Sequence, residues 1–130
     1  NAWWTDPGGL YTTPNTIETG PLVTPGAATS SGVRVRYNHF LDRPGCCARG
    51  RVQTRLEPSG DIVTAVNWSS STGAYVSQVT QLSSLTSAAN VTFHLRFSYE
   101  PFTPATPGMW AVDDVQVYLP GANATQVEFQ

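Results

Sequence analysis

The run Val91-Thr92-Phe93-His94-Leu95-Arg96-Phe97-Ser98-Tyr99 carries an apolar or aromatic side chain at every odd position and a polar one at every even position. A period of two residues is typical of a β-strand with one face buried and the other in water. Five further stretches have strand character; they span 33–39, 51–56, 62–66, 74–82 and 110–118. Turn signals recur about every 8–12 residues between them, and no segment predicts a helix longer than one turn. The sequence therefore predicts an all-β protein, an antiparallel two-sheet sandwich.

The composition bounds the size and class of the protein. The chain has 130 residues with 12% charged side chains and a net charge of −2, which argues against a general nucleic-acid binder. No apolar run reaches the roughly 18 residues of a membrane span, so we expect no direct membrane insertion. We expect one domain over 1–130, with 1–15 and 119–130 as extensions or linkers to neighbouring segments of a larger protein.

Cysteine and asparagine usage indicates an extracellular or cell-surface location. The two cysteines are the neighbours Cys46 and Cys47, which leaves a vicinal disulfide, an intermolecular disulfide or two free thiols. Three sequons, at Asn67, Asn90 and Asn123, favour a glycosylated protein. There is no Lys, and Ser and Thr are abundant.

The last strand contains the most informative carboxylates, Asp113 and Asp114. Strict alternation, with Val115 facing the core, places Asp113 on the buried face, where an ionised carboxylate needs partners. One interpretation is that it caps backbone N–H groups or meets an arginine. A second is a structural Ca²⁺ site with Glu18 and Asp42 as co-ligands, since calcium prefers oxygen ligands. A third is a β-bulge at these residues, which turns the carboxylates outward.

The closing segment carries a family resemblance. The run 91–99, a loop, and Trp110-Ala111-Val112-Asp113-Asp114-Val115-Gln116-Val117 resemble the closing hairpin of MAM-like and cleaved-adhesin-like jelly-roll domains. In these domains the last strand reads W-A-[IV]-D-D-[IV]-x-[IV]. Upstream, 16–20 is similar to their short opening strand with its acidic residue, and 33–40 to their first long strand.

The resemblance implies a jelly-roll topology, an extracellular location, and a role in adhesion, carbohydrate recognition or self-assembly. It also implies calcium near Glu18 and Asp113. The chain departs from animal MAM domains because it lacks their spaced disulfide cysteines and has the adjacent pair Cys46-Cys47 instead.

Nothing in the sequence predicts an enzyme. Adjacent strand residues such as Asp113 and Asp114 point to opposite faces, so they cannot flank one glycosidic bond. There is no G-x-S-x-G context around any serine. We expect His94 to be a solvated or cross-strand partner and His39 to be a satisfied, half-buried residue.

Two groups of residues are candidates for ligand binding. Five arginines occupy the polar parity of the predicted strands, and a shared sheet would make them a cationic strip suited to acidic polysaccharides; they are Arg34, Arg36, Arg51, Arg55 and Arg96. Trp68 and Tyr75 lie in or beside predicted loops. There they stack on sugar rings, anchor an interface with a neighbouring subunit, or close the ends of the sandwich.

From these observations we predict a non-catalytic extracellular module for adhesion or glycan recognition, whose partner is a glycan or a neighbouring protein subunit. The alternative is a building block of a surface layer, filament or appendage, and a less favoured alternative is a fragment of a carbohydrate-active enzyme.

Overall fold

The structure is a computed structural model, and it describes residues 2–5, 15–24, 32–42, 48–82, 85, 91–101, 108–118 and 125–126. Within these residues the chain forms two antiparallel sheets of five strands each. Sheet I contains β1 (Trp3–Trp4), β4 (Val33–Asp42), β7 (Val76–Leu82), β9 (Met109–Tyr118) and β10 (Thr125–Gln126). Sheet II contains β2 (Asn15–Glu18), β3 (Leu22–Val23), β5 (Ala48–Leu56), β6 (Ile62–Trp68) and β8 (Thr92–Pro101).

The strand order is that of a jelly roll. Sheet I runs β1-β9-β4-β7, with β10 also paired to β9, and sheet II runs β2-β8-β5-β6, with β3 also paired to β8. Except for the hairpin of β5 and β6 in sheet II, successive long strands lie in different sheets, so most neighbouring strands are far apart in sequence. The predicted all-β sandwich with jelly-roll topology is confirmed, as are strands in all six predicted stretches.

Parts of the two terminal segments belong to sheet I. In the segment 1–15, Trp3 and Trp4 pair with Val112 and Ala111 of β9. In the segment 119–130, Thr125 and Gln126 pair with Val117 and Gln116 on the same strand. No helix in the described part of the chain is long and apolar enough to cross a membrane.

Alternation along the strands places the core between the two sheets. In β4 the inward residues are all buried; they are Val33, Val35, Tyr37, His39 and Leu41. In β8 the odd-numbered apolar residues face them from sheet II; they are Phe93, Leu95, Phe97 and Tyr99. Each large apolar side chain buried in this way contributes about 1.5–3 kcal/mol relative to its exposed state.

Trp110 lies at the centre of the core. A Cβ atom on Gly50 would lie 2.7 Å from two ring atoms of Trp110, so only glycine leaves room for the indole at this point of β5. The Trp110 Nε1–H donates to Nδ1 of His39 at 3.0 Å. His39 is fully buried rather than half-buried as predicted, and burial lowers its pKa, so the ring stays neutral at pH 7.

A hydrogen-bonded chain links the two sheets through the core. Trp68 Nε1–H, in β6, donates to the hydroxyl of Tyr37 at 2.8 Å, and that hydroxyl lies 2.9 Å from Oγ1 of Thr80 in β7. The Trp68 ring also packs against His39, with 5.0 Å between the ring centroids. Trp68 is therefore a partly buried core residue. It lies at the end of β6 rather than in a loop, and ligand contact by its partly exposed ring stays a prediction.

A β-bulge in β9 corrects the prediction for Asp113. Arg36 pairs with Gln116, but Asn38 pairs with Asp113, so β9 has one extra residue opposite Tyr37. At the bulge, the backbone of Asp114 has a φ of 53°. This is a left-handed conformation that Asp tolerates better than most residues. The bulge reverses the alternation, so Trp110 and Val112 face the core together with Val115. Asp113 is consequently not buried, and the outward-facing interpretation is the correct one.

Candidate functional site

The outer face of sheet II carries a dense set of polar side chains. It is formed by the residues of β2, β5, β6 and β8 that alternate with the core residues, together with Glu57 just after β5. We call it the polar face; its members are Thr16, Glu18, Arg49, Arg51, Gln53, Arg55, Glu57, Ile62, Thr64, His94, Arg96, Ser98 and Glu100. It contains four arginines and three glutamates.

Glu18 accepts hydrogen bonds from two arginines on neighbouring strands. Arg96 Nη1 lies 2.7 Å from its Oε2, and Arg55 Nε lies 3.1 Å from the same oxygen. The hydrogen bonds from Arg55 are the main reason that the pKa of Glu18 falls from 4.5 to about 2; Arg96 adds to the effect, and partial burial opposes it. Glu18 in turn raises the pKa of Arg55. The carboxylate is therefore ionised throughout the physiological range.

Two further glutamates complete the ion pairs on this face. Glu57 Oε1 lies 2.6 Å from Arg55 Nη1 and 3.1 Å from His94 Nε2. Glu100 Oε1 accepts from Arg49 at 2.8 Å and from Arg51 at 2.7 Å. His94 also places Nδ1 3.0 Å from the carbonyl oxygen of Thr19, so it is a cross-strand partner as predicted.

These contacts change the interpretation of the arginines. Arg34 and Arg36 lie in β4 of sheet I, whereas Arg51, Arg55 and Arg96 lie in sheet II, so the five do not form one cationic strip. On sheet II the arginines are neutralised by carboxylates. On sheet I, Arg36 donates from Nε to Gln116 at 3.1 Å and lies over the ring of Tyr118.

A groove of about 380 Å³ opens in the polar face. Its walls are the outward side chains of four neighbouring strands: Thr16, Arg51, Gln53, Ile62, Thr64, Arg96, Ser98 and Glu100. Thr16 Oγ1 donates to Ser98 Oγ at 2.9 Å, and Gln53 Nε2 donates to Thr64 Oγ1 at 3.1 Å. The groove thus presents hydroxyl, amide, guanidinium and carboxylate groups side by side, with the half-exposed Ile62 as an apolar surface.

The predicted calcium ligands are not brought together. Glu18 lies in sheet II between two arginines, Asp113 lies on the outer face of sheet I, and Asp42 ends β4 opposite Met109. Within the described residues, no three His, Cys, Asp or Glu side chains cluster closely enough to hold a metal ion. Asp113 Oδ1 accepts the N–H of Asp114 at 2.8 Å, a contact of the bulge itself. Calcium binding at any single one of these carboxylates stays a prediction.

The remaining predicted residues are distributed as follows. Tyr75 is 56% exposed and lies beside Phe40 of sheet I, away from the groove. Asn67 is exposed on β6, where it pairs with Arg51. Cys46, Cys47, Asn90 and Asn123 lie outside the described residues, so the disulfide alternatives and two of the three sequons stay predictions.

Sequence reasoning named Glu18 only as a calcium ligand, and it missed Glu57, Glu100 and the hydroxyl and amide residues of the polar face. Thr16, Gln53 and Ser98 sit on the polar parity of their strands, so the alternation contained a signal for which side they face. No local signal showed that β2, β5, β6 and β8 are neighbours in one sheet.

Comparison with known proteins identifies related folds but no family. No protein-family model and no curated protein sequence matches the chain. Among solved structures, a family 61 carbohydrate-binding module in complex with β-1,4-galactotriose matches with a TM-score of 0.50 and 10% identity, over 90% of this chain and 68% of that one. The chain is similar in fold to carbohydrate-binding modules. A family 16 carbohydrate-binding module also matches, with a TM-score of 0.48 and 10% identity over 91% of this chain and 76% of that one. The C-terminal domain of EclA, a sugar-binding protein, matches with a TM-score of 0.45 and 7% identity over 91% of this chain and 77% of that one.

The fold implied by the MAM-like and cleaved-adhesin-like resemblance is therefore confirmed. Membership of those families is not supported, because no protein-family model matches the chain.

Proposed function

We propose that this chain is a non-catalytic, extracellular glycan-recognition module that binds a neutral oligosaccharide in the groove of sheet II. The observation that carries the proposal is the groove itself: about 380 Å³ lined by hydrogen-bond donors and acceptors from four strands. The fold similarity to a module solved with β-1,4-galactotriose supports the same class of ligand.

The chemistry of the groove favours a neutral sugar over an acidic one. Arg51 is paired with Glu100, and Arg96 with Glu18, so most of the positive charge is compensated. A paired guanidinium and carboxylate offer a donor and an acceptor side by side, which matches the adjacent hydroxyl groups of a pyranose. An anionic sugar would instead meet the carboxylate of Glu100 at the groove wall.

The arrangement of the polar face supports a binding role without catalysis. Its carboxylates are held by arginines, and Glu18, with its pKa near 2, stays ionised and cannot donate a proton at neutral pH. An extracellular location is supported by the exposed sequon asparagine Asn67.

The test is a glycan array followed by calorimetry on Arg51→Ala. Arg51 is suitable because Glu100 keeps Arg49 as a partner after the substitution. We expect wild-type protein to bind neutral oligosaccharides and R51A to bind them at least tenfold more weakly, since a charge-assisted hydrogen bond contributes about 1.5–3 kcal/mol.

Arg36→Ala is the matched control, because it removes an arginine from the outer face of the other sheet. It is expected to bind in the groove like wild type. Wild-type protein that binds no glycan overturns the proposed function, and wild-type affinity in a folded R51A protein overturns the assignment to the groove.

A further inference from the structure

The outer face of sheet I carries an aromatic row that the groove does not use. Trp4 and Phe40 both pair with Ala111 of the strand between them, so all three side chains are on the same face. The ring of Tyr75 lies 5.9 Å from that of Phe40, which extends the row to the opposite edge of the sheet. We call these residues, Trp4, Ala111, Phe40 and Tyr75, the aromatic row. At about 4.8 Å per strand it is roughly 14 Å long.

The two ends of the row are unusually exposed for aromatic residues. Trp4 is 62% exposed and Tyr75 56% exposed, whereas Ala111 between the large rings is buried. Side chains of this size contribute most to stability when buried, so the fold gains little from either ring. Their exposure calls for an explanation outside the packing of the domain.

Trp4 is held in its outward orientation by the residues on both sides. Trp3 points into the sandwich and packs edge-on against Trp110, with 6.0 Å between ring centroids. Thr5 is buried; its Oγ1 accepts the N–H of Trp110 at 3.0 Å, and its own N–H donates to the carbonyl of Trp110 at 3.1 Å. With both neighbours fixed, alternation places the Trp4 indole on the outer surface.

Tyr75 is positioned by a turn anchored to β4. Thr72 Oγ1 accepts the N–H of Leu41 at 3.1 Å, and the N–H of Thr72 donates to the carbonyl of Leu41 at 3.0 Å. The same hydroxyl donates to the carbonyl of Ala74 at 2.8 Å. The row is therefore preorganised at both ends, which lowers the entropic cost of binding.

A row of hydrogen-bonding groups runs beside the aromatic row. Asn38 pairs with Asp113 on one side and with Ser77 on the other, two residues along the strand from Phe40. This places the polar row about 7 Å away. Asn38 Nδ2 donates to Oδ2 of Asp114 at 3.0 Å, so the bulge adds an exposed carboxylate to it. A flat apolar surface thus lies next to a line of donors and acceptors.

We propose that the aromatic row is a second glycan-binding surface, which takes a neutral oligosaccharide with its pyranose rings against Trp4, Phe40 and Tyr75. The apolar C–H face of a pyranose fits an aromatic ring, and its hydroxyl edge reaches Asn38, Asp114 and Ser77. The length of the row exceeds one pyranose ring, so the ligand is an oligosaccharide. This inference rests on the proposed function for the class of ligand but assigns a separate site on the opposite sheet.

Charge distinguishes this ligand from a second copy of the chain. The centre of a protein interface is depleted in charged residues, whereas Asp113 and Asp114 lie directly beside the row. Two copies stacked face to face would bring these carboxylates towards each other. The same carboxylates disfavour uronic or sulfated sugars, and they accept hydrogen bonds from neutral hydroxyl groups.

The experiment is calorimetry on the full chain with a panel of neutral oligosaccharides that includes β-1,4-galactotriose, and with acidic oligosaccharides for comparison. Wild-type protein is expected to bind a neutral oligosaccharide at two sites. Trp4→Ala and Tyr75→Ala are each expected to weaken binding at the aromatic row at least tenfold and to leave binding in the groove unchanged. Arg51→Ala is expected to weaken binding in the groove and to leave the aromatic row unchanged. Val79→Ala is the matched control, because Val79 is an exposed apolar residue on the same face outside the row.

The outcomes separate this proposal from the proposed function. If R51A removes all binding while W4A and Y75A bind like wild type, the aromatic row is not a glycan site and the groove assignment stands. If W4A removes all binding while R51A binds like wild type, the aromatic row stands and the groove assignment fails. Preferential binding of acidic sugars at the row, or a dimer in sedimentation velocity that W4A dissolves, overturns the proposal. Melting temperatures near that of wild type verify that each variant is folded.

Discussion

Glu18 is the residue that organises the polar face. It lies on β2 opposite Arg96 of β8, and it also reaches Arg55 of β5, so one carboxylate connects three strands of sheet II. Its side chain is 25% exposed, which makes these pairs stronger than ordinary surface salt bridges. The pKa of Glu18 is low because the hydrogen bonds and positive charges of these two arginines stabilise its ionised form.

We predict that Glu18 makes the stability of the protein depend on pH in the acid range. The folded protein keeps Glu18 ionised down to a pKa of about 2, whereas the unfolded chain takes up the proton near 4.5. The contribution is therefore fully present above pH 4.5 and is lost as the pH falls towards 2. After allowance for solvent screening we expect it to be about 1–2 kcal/mol.

Urea unfolding of wild type and Glu18→Gln between pH 6 and pH 2 measures this contribution. The two free energies of unfolding are expected to differ most at pH 6 and to converge at pH 2. Asp61→Asn, which neutralises an exposed turn carboxylate, is the control. Parallel curves for E18Q and wild type would contradict the assignment.

The bulge in β9 is the decisive irregularity at the level of the strand. One extra residue lets Trp110 and Val112 face the core on one side of it and Val115 on the other. Without the bulge, strict alternation would point either Trp110 and Val112 or Val115 into water. The same bulge brings the exposed Asp114 carboxylate beside Asn38, so it serves both the core and the polar row next to the aromatic row.

We predict that deletion of Asp114 destabilises the protein far more than its replacement by glycine. Deletion forces either Trp110 or Val115 out of the core, at an expected cost of about 3 kcal/mol or more. Asp114→Gly loses the hydrogen bond from Asn38 but relieves the left-handed backbone, two effects of about 1 kcal/mol each that oppose one another. Thermal unfolding followed by near-ultraviolet circular dichroism measures both. A deletion variant that melts like wild type would show that the bulge does not set the register.

At the scale of the whole molecule, the groove and the aromatic row lie on opposite outer faces of the sandwich. The two sheets pack about 10 Å apart, and each proposed site faces away from the other. A single short oligosaccharide does not reach both. One domain with both sites is therefore able to connect two glycan chains, and its apparent affinity for a polysaccharide exceeds that of either site.

We predict that wild-type protein cross-links a neutral polysaccharide in solution. Light scattering of a soluble galactan is expected to rise on addition of wild-type protein and to fall again with an excess of β-1,4-galactotriose. R51A and W4A, each with one site, are expected to bind the polysaccharide without raising the scattering. Equal scattering from a single-site variant would contradict the bivalent arrangement.

The sequence by itself determined the six long strands and, in β4, β5 and β8, the side that faces the core, because alternation is a local property of one segment. The runs in β4, β5 and β8 show this, and they are sufficient for the sandwich and for the outward direction of Arg51, Arg55 and Arg96. Only the tertiary structure decided which strands are neighbours. It therefore separated Arg34 and Arg36 from the arginines of sheet II, and it placed Glu18 where it pairs with Arg55 and Arg96. It also decided that Trp68 enters the core, that Asp113 faces outward and that Trp4, Phe40 and Tyr75 form one row. These features depend on pairs such as Arg36 and Gln116, 80 positions apart, whose register is set by the packing of the two sheets and by a single extra residue in β9.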